Sequence, residues 1–524
     1  MIHTLPGNRL EQLIDPLATL LAMPVANPLQ PDIVMVQHPG MAHWLNMRLA
    51  EHPQRRIAMN IAYPLPVNQM WALIRTIIGE ARVPRESPYQ REVLAWRIYA
   101  LLGHESITND PTFSAPNRYW CQQSSRQQPL RRLQLAEELA DLYEQYQIYR
   151  PDWIQAWDNG SAEHWQGKLW QYLIAQQPEH PVKLLNQAHA QLSNPVHPLP
   201  ERLFVFGINT LAPLWLDFMS AVAEHGEVDF HILYLNPSDE YWGDLLSEKQ
   251  QARQRARWLL EQPKQPHPHL PINPPPQRAD TADTVPPRAD PDAVGEGEPS
   301  PPEQLDPFLL ESGNPLLSSL GEQGQQFVRL LSDIANLETP LFAEPNGSSL
   351  LAEIQRDILY LRDGRQCLGP RDQTHPAEHQ APPSHPADSI EIVSAHSALR
   401  EVQGLHDYLL HCFNNDPSLT PRDVVVMCPN IEQYAPFVEA VFARRGEDLP
   451  QSTPPLPCSI ADRNPGAADP ATAACLELLN LPDARFQVSQ VISWLQVPAI
   501  QARFSLTSEQ VGQITGWLQR ANVH

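Results

Sequence analysis

Asp32-Ile33-Val34-Met35-Val36-Gln37, then His38-Pro39-Gly40, then Met41–Ala50 is the stretch that decides the fold. The first six residues form a short β-rich run. The Pro-Gly pair makes a turn, and Trp44, Leu45 and Leu49 then recur at helical spacing. This is a strand–loop–helix unit. The same alternation returns downstream. Leu203–Phe206 reads as a buried strand, Leu211–Ala223 as a helix and Val228–Leu235 as another strand. Leu133–Tyr149 is a long helix, with Leu135, Leu139, Leu142 and Tyr146 on one face. It stops before Pro151, because the residue preceding a proline disfavours helix. Strands alternating with helices imply βαβ units and a parallel sheet, so the fold class is α/β.

Around this unit the chain divides by composition. Residues 1–260 form one structured α/β block with a helical insertion. Residues 262–306 hold 13 prolines and three basic against eight acidic residues, the composition of an extended linker or insertion. Residues 307–363 read as a helical segment. Residues 364–388 read as a loop, where His375, His379 and His385 lie among prolines with no rigid element to fix a metal geometry. A second α/β block is expected over 389–524. Its strands are Ile390–Val393 and Asp423–Met427, and its helices Ala398–Cys412, Ile431–Arg444, Ala468–Leu479, Val488–Leu495 and Ser508–Arg520. The chain stops at His524 straight after that last helix, an ending read as a truncation.

A chain of 524 residues with 42% hydrophobic residues exceeds one core and implies several domains. The first twenty residues lack a basic start followed by an apolar run, and no uninterrupted apolar stretch is of membrane-spanning length. Six scattered cysteines without a CxxC pair argue for reduced thiols in the cytosol. The net charge of −23 opposes a simple nucleic-acid binder, though not a local basic channel or positive charge supplied by a partner.

The search for chemistry is made decisive by scarcity: the lysines are Lys168, Lys183, Lys249 and Lys264 alone. A P-loop needs GxxxxGK[ST]. Only Lys168 follows a glycine, Gly167, with Leu169 where Ser or Thr belongs. The turn Gln37–Met41, taken as the phosphate-loop position of the first unit, has no lysine. Asp239-Glu240 lies past the end of its strand, after Asn236-Pro237-Ser238, and reads as a turn rather than a Walker-B acid. No lysine has Asp or Glu two residues before it, so the (D/E)xK nuclease signature is absent, as are GxSxG and HExxH. No catalytic or metal site is therefore expected, although a dispersed active site leaves no local trace.

Contact residues remain. Gln37, His43 and Trp44 lie in and beside the first βα turn, where open α/β sheets bind ligands. Tyr63–Pro66 and Trp71 follow, and aromatics there either stack on unpaired bases or pack in the core. Arg150 either meets phosphate or caps and salt-bridges locally. Arg126, Arg131 and Arg132 read as a solvated face.

These residues carry a resemblance. VQHPGMAHWL (Val36–Leu45), NIAYPLP (Asn60–Pro66), DLYEQYQIYRPDW (Asp141–Trp153) and FGINTLAP (Phe206–Pro213) resemble the RecC family of bacterial exonuclease V subunits. NPSDEYWGD (Asn236–Asp244), GNPLLSSLG (Gly313–Gly321), LTPRDVVVM (Leu419–Met427) and LPDARF (Leu481–Phe486) do so too, in the same order. The resemblance spans nearly the whole chain apart from the Pro-rich stretch and the loop near 364–388. It implies degenerate superfamily 1 helicase-like domains that have lost their ATP motifs. It further implies a non-catalytic subunit bridging RecB-like and RecD-like partners, which themselves bind ATP and magnesium. The subunit would contact double-stranded ends and single-stranded DNA, help split the duplex and scan the 3′ strand for Chi in recombinational repair. Family members are usually about twice this length. Matched position by position, the strand-scanning residues are Gln37, Pro39, His43, Leu65, Trp71, Asp141, Leu142, Glu144, Gln145 and Arg150. At Pro39 the family pattern has a hydroxyl residue and at His43 an amide, and Glu144 replaces Asp. A proline cannot supply the lost side-chain hydrogen bond. The competing expectations are a stand-alone enzyme with a dispersed site and a protein scaffold without DNA contact.

Overall fold

The structure, a computed structural model, describes residues 1–53, 55–121, 127–246, 249–250, 252–253, 313–364, 389–442, 456–461, 469–479, 481 and 486–521. The Pro-rich stretch 262–306, the three loop histidines and Arg126 lie outside these residues. The chain divides into two compact units, 1–390 and 391–524.

The first unit begins with β1 (Ile2–Gly7), α1 (Ile14–Ala22), β2 (Asp32–Val36), α2 (Pro39–Glu51) and β3 (Ile61–Ala62). An insertion follows: α3 (Pro66–Ile78), α4 (Arg91–Leu102), α5 (Glu105–Thr108), α6 (Ser114–Cys121), α7 (Gln128–Tyr149), α8 (Pro151–Asp158), α9 (Trp165–Gln176) and α10 (Pro181–Gln191). The sheet then resumes with β4 (Arg202–Phe206), α11 (Pro213–His225) and β5 (Asp229–Leu235), and is extended by α12 (Pro315–Leu320), α13 (Glu322–Ile334), β6 (Leu337–Glu338) and α14 (Leu350–Leu359).

The six strands form one parallel sheet in the order β3-β2-β4-β5-β1-β6. Val34, Met35 and Val36 of β2 and Phe204 and Phe206 of β4 are fully buried, as a sheet covered on both faces requires. One face packs on α3, α10, α11 and α13 through Met70, Ile74, Leu185, Phe218 and Phe327. The other packs on α1 and α2 through Leu17, Leu45 and Leu49. Across the sheet, the Arg202 Nε donates to Asp32 Oδ1 at 3.0 Å, and its terminal nitrogens donate to the carbonyls of Leu20 and Leu21. The insertion has its own core, where Leu94, Ile98, Tyr143, Trp170 and Leu173 meet. Within it α7 buries Ala136, Leu139, Ala140, Tyr143 and Gln147 at three- and four-residue spacing.

Three expectations need correction. The strand that opens the sheet is Ile2–Gly7, not Asp32–Gln37, so the phosphate-loop position of this topology is Gly7–Leu13. Residues 313–361 are not a separate helical segment. They supply β6 and pack Leu317, Phe327 and Leu331 into the sheet's core. In the second unit, Ile390–Val393 and Asp423–Met427 join no ladder among the described residues. An apolar run becomes a buried strand only with a neighbour about 4.8 Å away, and these runs lie largely exposed instead. That unit is described by its helices: α15 (Ala398–Asn415), α16 (Ile431–Phe442), α17 (Pro470–Leu479), α18 (Val488–Leu495), α19 (Pro498–Phe504) and α20 (Ser508–Arg520). No helix among the described residues is long and apolar enough to cross a membrane.

Candidate nucleic-acid interface

The loop after β1 reads Gly7-Asn8-Arg9-Leu10 and contains no lysine. Its polar groups are occupied by a neighbouring segment. The Leu341 amide donates to the Pro6 carbonyl, Asn8 exchanges two hydrogen bonds with the backbone of Ala343, and Arg9 donates to the Glu344 carbonyl. A Cβ on Gly7 would lie 2.8 Å from the Leu341 oxygen. This chain thus fills the phosphate-cradle position with its own backbone. After β4, Gly207 adopts φ +65°, and a Cβ there would lie 3.4 Å from the Leu10 side chain and 3.5 Å from that of Met41. That conformation favours glycine. The Asp239-Glu240 pair sits in a turn: Asn236 Oδ1 accepts from the Ser238 amide and the Trp242 indole, and the Ser238 hydroxyl donates to the Leu359 carbonyl. Lys168 donates to the Thr112 hydroxyl at 2.7 Å and Lys183 to Glu179 at 3.0 Å, both within the insertion.

The sequence-derived contact residues fall into three groups. Gln37, Pro39 and His43 are exposed on the β2–α2 turn. The Val36 amide donates to the Pro64 carbonyl at 3.1 Å, which sets Leu65 beside that turn. The Tyr63 hydroxyl donates to Asn46 on α2, and burial pushes its pKa up to about 12 against the opposing pull of Arg55, so it stays a neutral donor. Leu65 itself is exposed at the N-cap of α3.

Trp71 and Glu144 form the second group. They line one cavity of about 410 Å³ between α3, α7, α10, α11 and the loop that joins α3 to α4. Trp71 is half-buried and packs edge-on against Trp215, ring centroids 6.0 Å apart. It is therefore both a core residue and a cavity wall. Tyr89, also in the wall, lies under the Arg97 guanidinium and donates to the Gln177 carbonyl. Burial raises its pKa, with Arg97 opposing.

The third group follows α7. Asp141 pairs with Arg91 at 2.8 Å and accepts from Gln145, leaving the acid neutralised on the helix surface. Leu142 is half-buried against the insertion's core. Arg150 ends α7. Its Nε and terminal nitrogen grip both oxygens of Asp152 at 2.9 and 2.7 Å, and its guanidinium lies 3.7 Å from the Trp153 ring centroid. That hydrogen-bonded pair raises the Arg150 pKa and lowers that of Asp152. The salt-bridging alternative is thus what the structure contains, in an exposed geometry that leaves Tyr149 and Trp153 open to solvent beside it. Arg131 and Arg132 are not a plain solvated face. Arg132 stacks over Tyr99 at 3.9 Å and near Trp120, and Arg131 donates to the Tyr119 hydroxyl.

Sequence reasoning missed Arg75, Gln147 and Trp215. The available signal for Gln147 was its place in the buried register of α7, four residues after Tyr143. Among the described residues no three His, Cys, Asp or Glu side chains cluster as metal ligands.

A family model for the N-terminal domain of RecC matches residues 2–361, and one for the fourth domain of the RecBCD enzyme subunit RecC matches residues 468–524. The RecBCD enzyme subunit RecC of Haemophilus influenzae is 30% identical over 99% of this chain and 46% of that protein. Its counterpart in Escherichia coli is 32% identical over 95% and 42%, and that of Mycolicibacterium smegmatis 27% identical over 100% and 43%. The chain spans less than half the length of these curated relatives.

Proposed function

The chain belongs to the RecC family, and on that premise we propose that it is a non-catalytic, DNA-gripping subunit of a cytosolic exonuclease V complex. Its partners are RecB-like and RecD-like subunits, which bind the ATP and magnesium. Its substrates are duplex ends and the single strand drawn from them, which it scans for a Chi-type sequence during recombinational repair. The observation that carries this reading is the filled loop after β1. A helicase-type sheet keeps its nucleotide strand, but Asn8, Arg9 and Gly7 are engaged by Leu341–Glu344. What the sheet still offers at its carboxyl edge is the exposed Gln37–His43 turn and Leu65, with Trp71 further along α3.

The strand path we assign runs from that turn along α3 to the carboxyl end of α7, where Arg150 stands over Trp153. Aromatic faces take bases of any sequence, at roughly 1–3 kcal/mol per base. In a chain of net charge −23, that stacking carries more of the affinity than phosphate contacts do. In the complex reconstituted with RecB- and RecD-like subunits, Trp71→Ala with Arg150→Ala lowers crosslinking of this chain to the 3′ strand. Unchanged crosslinking returns the chain to a protein scaffold. ATP turnover by the purified chain at helicase-like rates ends the non-catalytic reading.

A further inference from the structure

One side of the sheet ends in an unpaired strand. β3 is outermost and pairs only with β2. In a parallel ladder alternate residues turn their amide and carbonyl towards the neighbouring strand. The Asp32 amide donates to the Asn60 carbonyl and the Val36 amide to the Pro64 carbonyl, with Ile61 in register with Asp32 and Ala62 with Ile33. Residues 60, 62 and 64 therefore face β2, and Ile61 and Tyr63 turn their backbone groups the other way. Those groups, and the amides and carbonyls of Ile57 and Met59 just before them, have no hydrogen-bond partner among the described residues. Such an edge is a template for another strand. The side chains beside it are apolar and exposed. Ile57 is 59% and Met59 73% exposed, while Ala58 between them packs into the core under α1 and α2. The Asn60 side chain donates to the carbonyls of Pro28 and Gln30, which holds Leu29, 87% exposed, in the same neighbourhood. The charge at the edge is positive. Arg56 is exposed, and Arg55 is close enough to Tyr63 to oppose the rise of its pKa. Neither arginine forms an ion pair among the described residues. The nearby carboxylates are already engaged: Glu51 with Arg48, Asp15 with His52 and Asp32 with Arg202.

We propose that the outer edge of β3 is a docking site for an extended, acidic and apolar segment of a partner protein, which adds a strand to the sheet. The segment's backbone pairs with Ile61 and Tyr63, its aliphatic side chains cover Ile57, Met59 and Leu29, and its carboxylates meet Arg56. Charge selects this occupant. A second copy of this chain brings the same arginines and leaves them without counter-charge, in a protein whose net charge is otherwise −23. Nucleic acid has no run of alternating donors and acceptors with which to continue a ladder. The docking edge uses none of the ten strand-scanning residues, so it stands or falls independently of the DNA-gripping reading.

The test uses the 524-residue chain and a fluorescein-labelled octapeptide that alternates valine and glutamate, read by fluorescence anisotropy. Saturable binding is expected, with slowed hydrogen exchange in the fragment spanning residues 57–63. The same peptide with all its backbone amides N-methylated keeps its side chains but loses its ladder donors, and binds more weakly by about tenfold or more. A peptide alternating valine and lysine is likewise weaker by about tenfold or more. Arg56→Asn, a residue that tolerates the φ of +57° at this position, weakens the glutamate peptide by about two- to fivefold, the worth of one exposed ion pair. Ile57→Ser combined with Met59→Ser weakens it as well. No saturable binding of the glutamate peptide, or equal binding of its N-methylated form, overturns the docking edge. Dimerisation in sedimentation equilibrium that the double serine variant abolishes, with no peptide bound, overturns it in favour of a second copy. Weaker single-stranded DNA binding by Arg56→Asn, again with no peptide bound, overturns it in favour of nucleic acid.

Discussion

Two segments of this molecule have nearly the same composition and opposite fates. Asp-Ile-Val-Met-Val at 32–36 is β2, with Val34, Met35 and Val36 all 0% exposed. Asp-Val-Val-Val-Met at 423–427 is extended but unpaired among the described residues, with Val425 82% and Met427 90% exposed. Each is followed within ten residues by a helix. What separates them is the neighbour. β2 lies between β3 and β4 and exchanges ladder bonds with both, whereas 423–427 joins no ladder among the described residues and packs only Val424 into the cluster formed by α15, α16 and Leu456. An apolar run reports what a segment can bury, and pairing decides whether it does.

That contrast can be broken by experiment. The largest effect is expected at Val34→Asp, which places an unpaired carboxylate in the sheet's interior. It should remove about 4 kcal/mol or more, seen as loss of the cooperative tryptophan-fluorescence transition in urea. Next is Arg202→Ala. It strips Asp32 of its partner and removes a donor from each of the Leu20 and Leu21 carbonyls, of which Leu20 keeps the Met23 amide. A cost of about 2–4 kcal/mol is expected, read as a shifted urea midpoint with an unchanged slope.

The third effect is a pH dependence confined to the sheet. His231 stacks on Phe204, ring centroids 5.2 Å apart. Burial first, and the adjacent His3 second, lower its pKa to about 4, with Asp229 opposing. The unfolded chain takes up this proton near pH 6.5 and the folded chain only near pH 4. Stability is therefore whole above about 6.5 and is lost as pH falls towards 4. Thermal melts across that window should decline in the wild type and flatten in His231→Phe, which keeps the ring stack. The smallest effect belongs to Val425→Asp, the mirror of the first substitution. At an exposed position it should change stability by no more than about 0.5 kcal/mol. A loss as large as that at Val34 would show that 423–427 is buried after all.

The sequence carried β2, β4 and β5 and the helices α2, α7 and α11 within a few residues, because each has a clean apolar period and a punctuating Pro or Gly. Pro129 at the start of α7 extended that helix back to Gln128, beyond its first apolar residue. β1 escaped notice. Ile2–Gly7 contains Pro6, and a proline ordinarily demotes a run to an edge, yet here β1 lies between β5 and β6. That omission misplaced the phosphate-loop position by one strand, while the inference drawn from the missing lysine applied equally to both loops. Of the ten contact residues, Trp71 and Glu144 share a cavity, and Gln37, Pro39, His43 and Leu65 lie about one turn. Arg150 is tied to Asp152. The cavity was illegible because its walls come from five separated stretches between residues 67 and 215, and no local pattern brings those together.

The pairing of β1 has a consequence for how this protein is made. Ile2–Gly7 is synthesised well before its ladder partners, Phe230–Leu235 and Leu337–Glu338, and its first amide is capped by Asn336. At translation speeds of about 5–20 residues per second, this strand waits about 10–50 s for β5 and longer for β6. Throughout that interval an apolar strand emerges from the ribosome with nothing to join. The sheet closes only once β5 and β6 have been made, so β1 stays available to other binders until then.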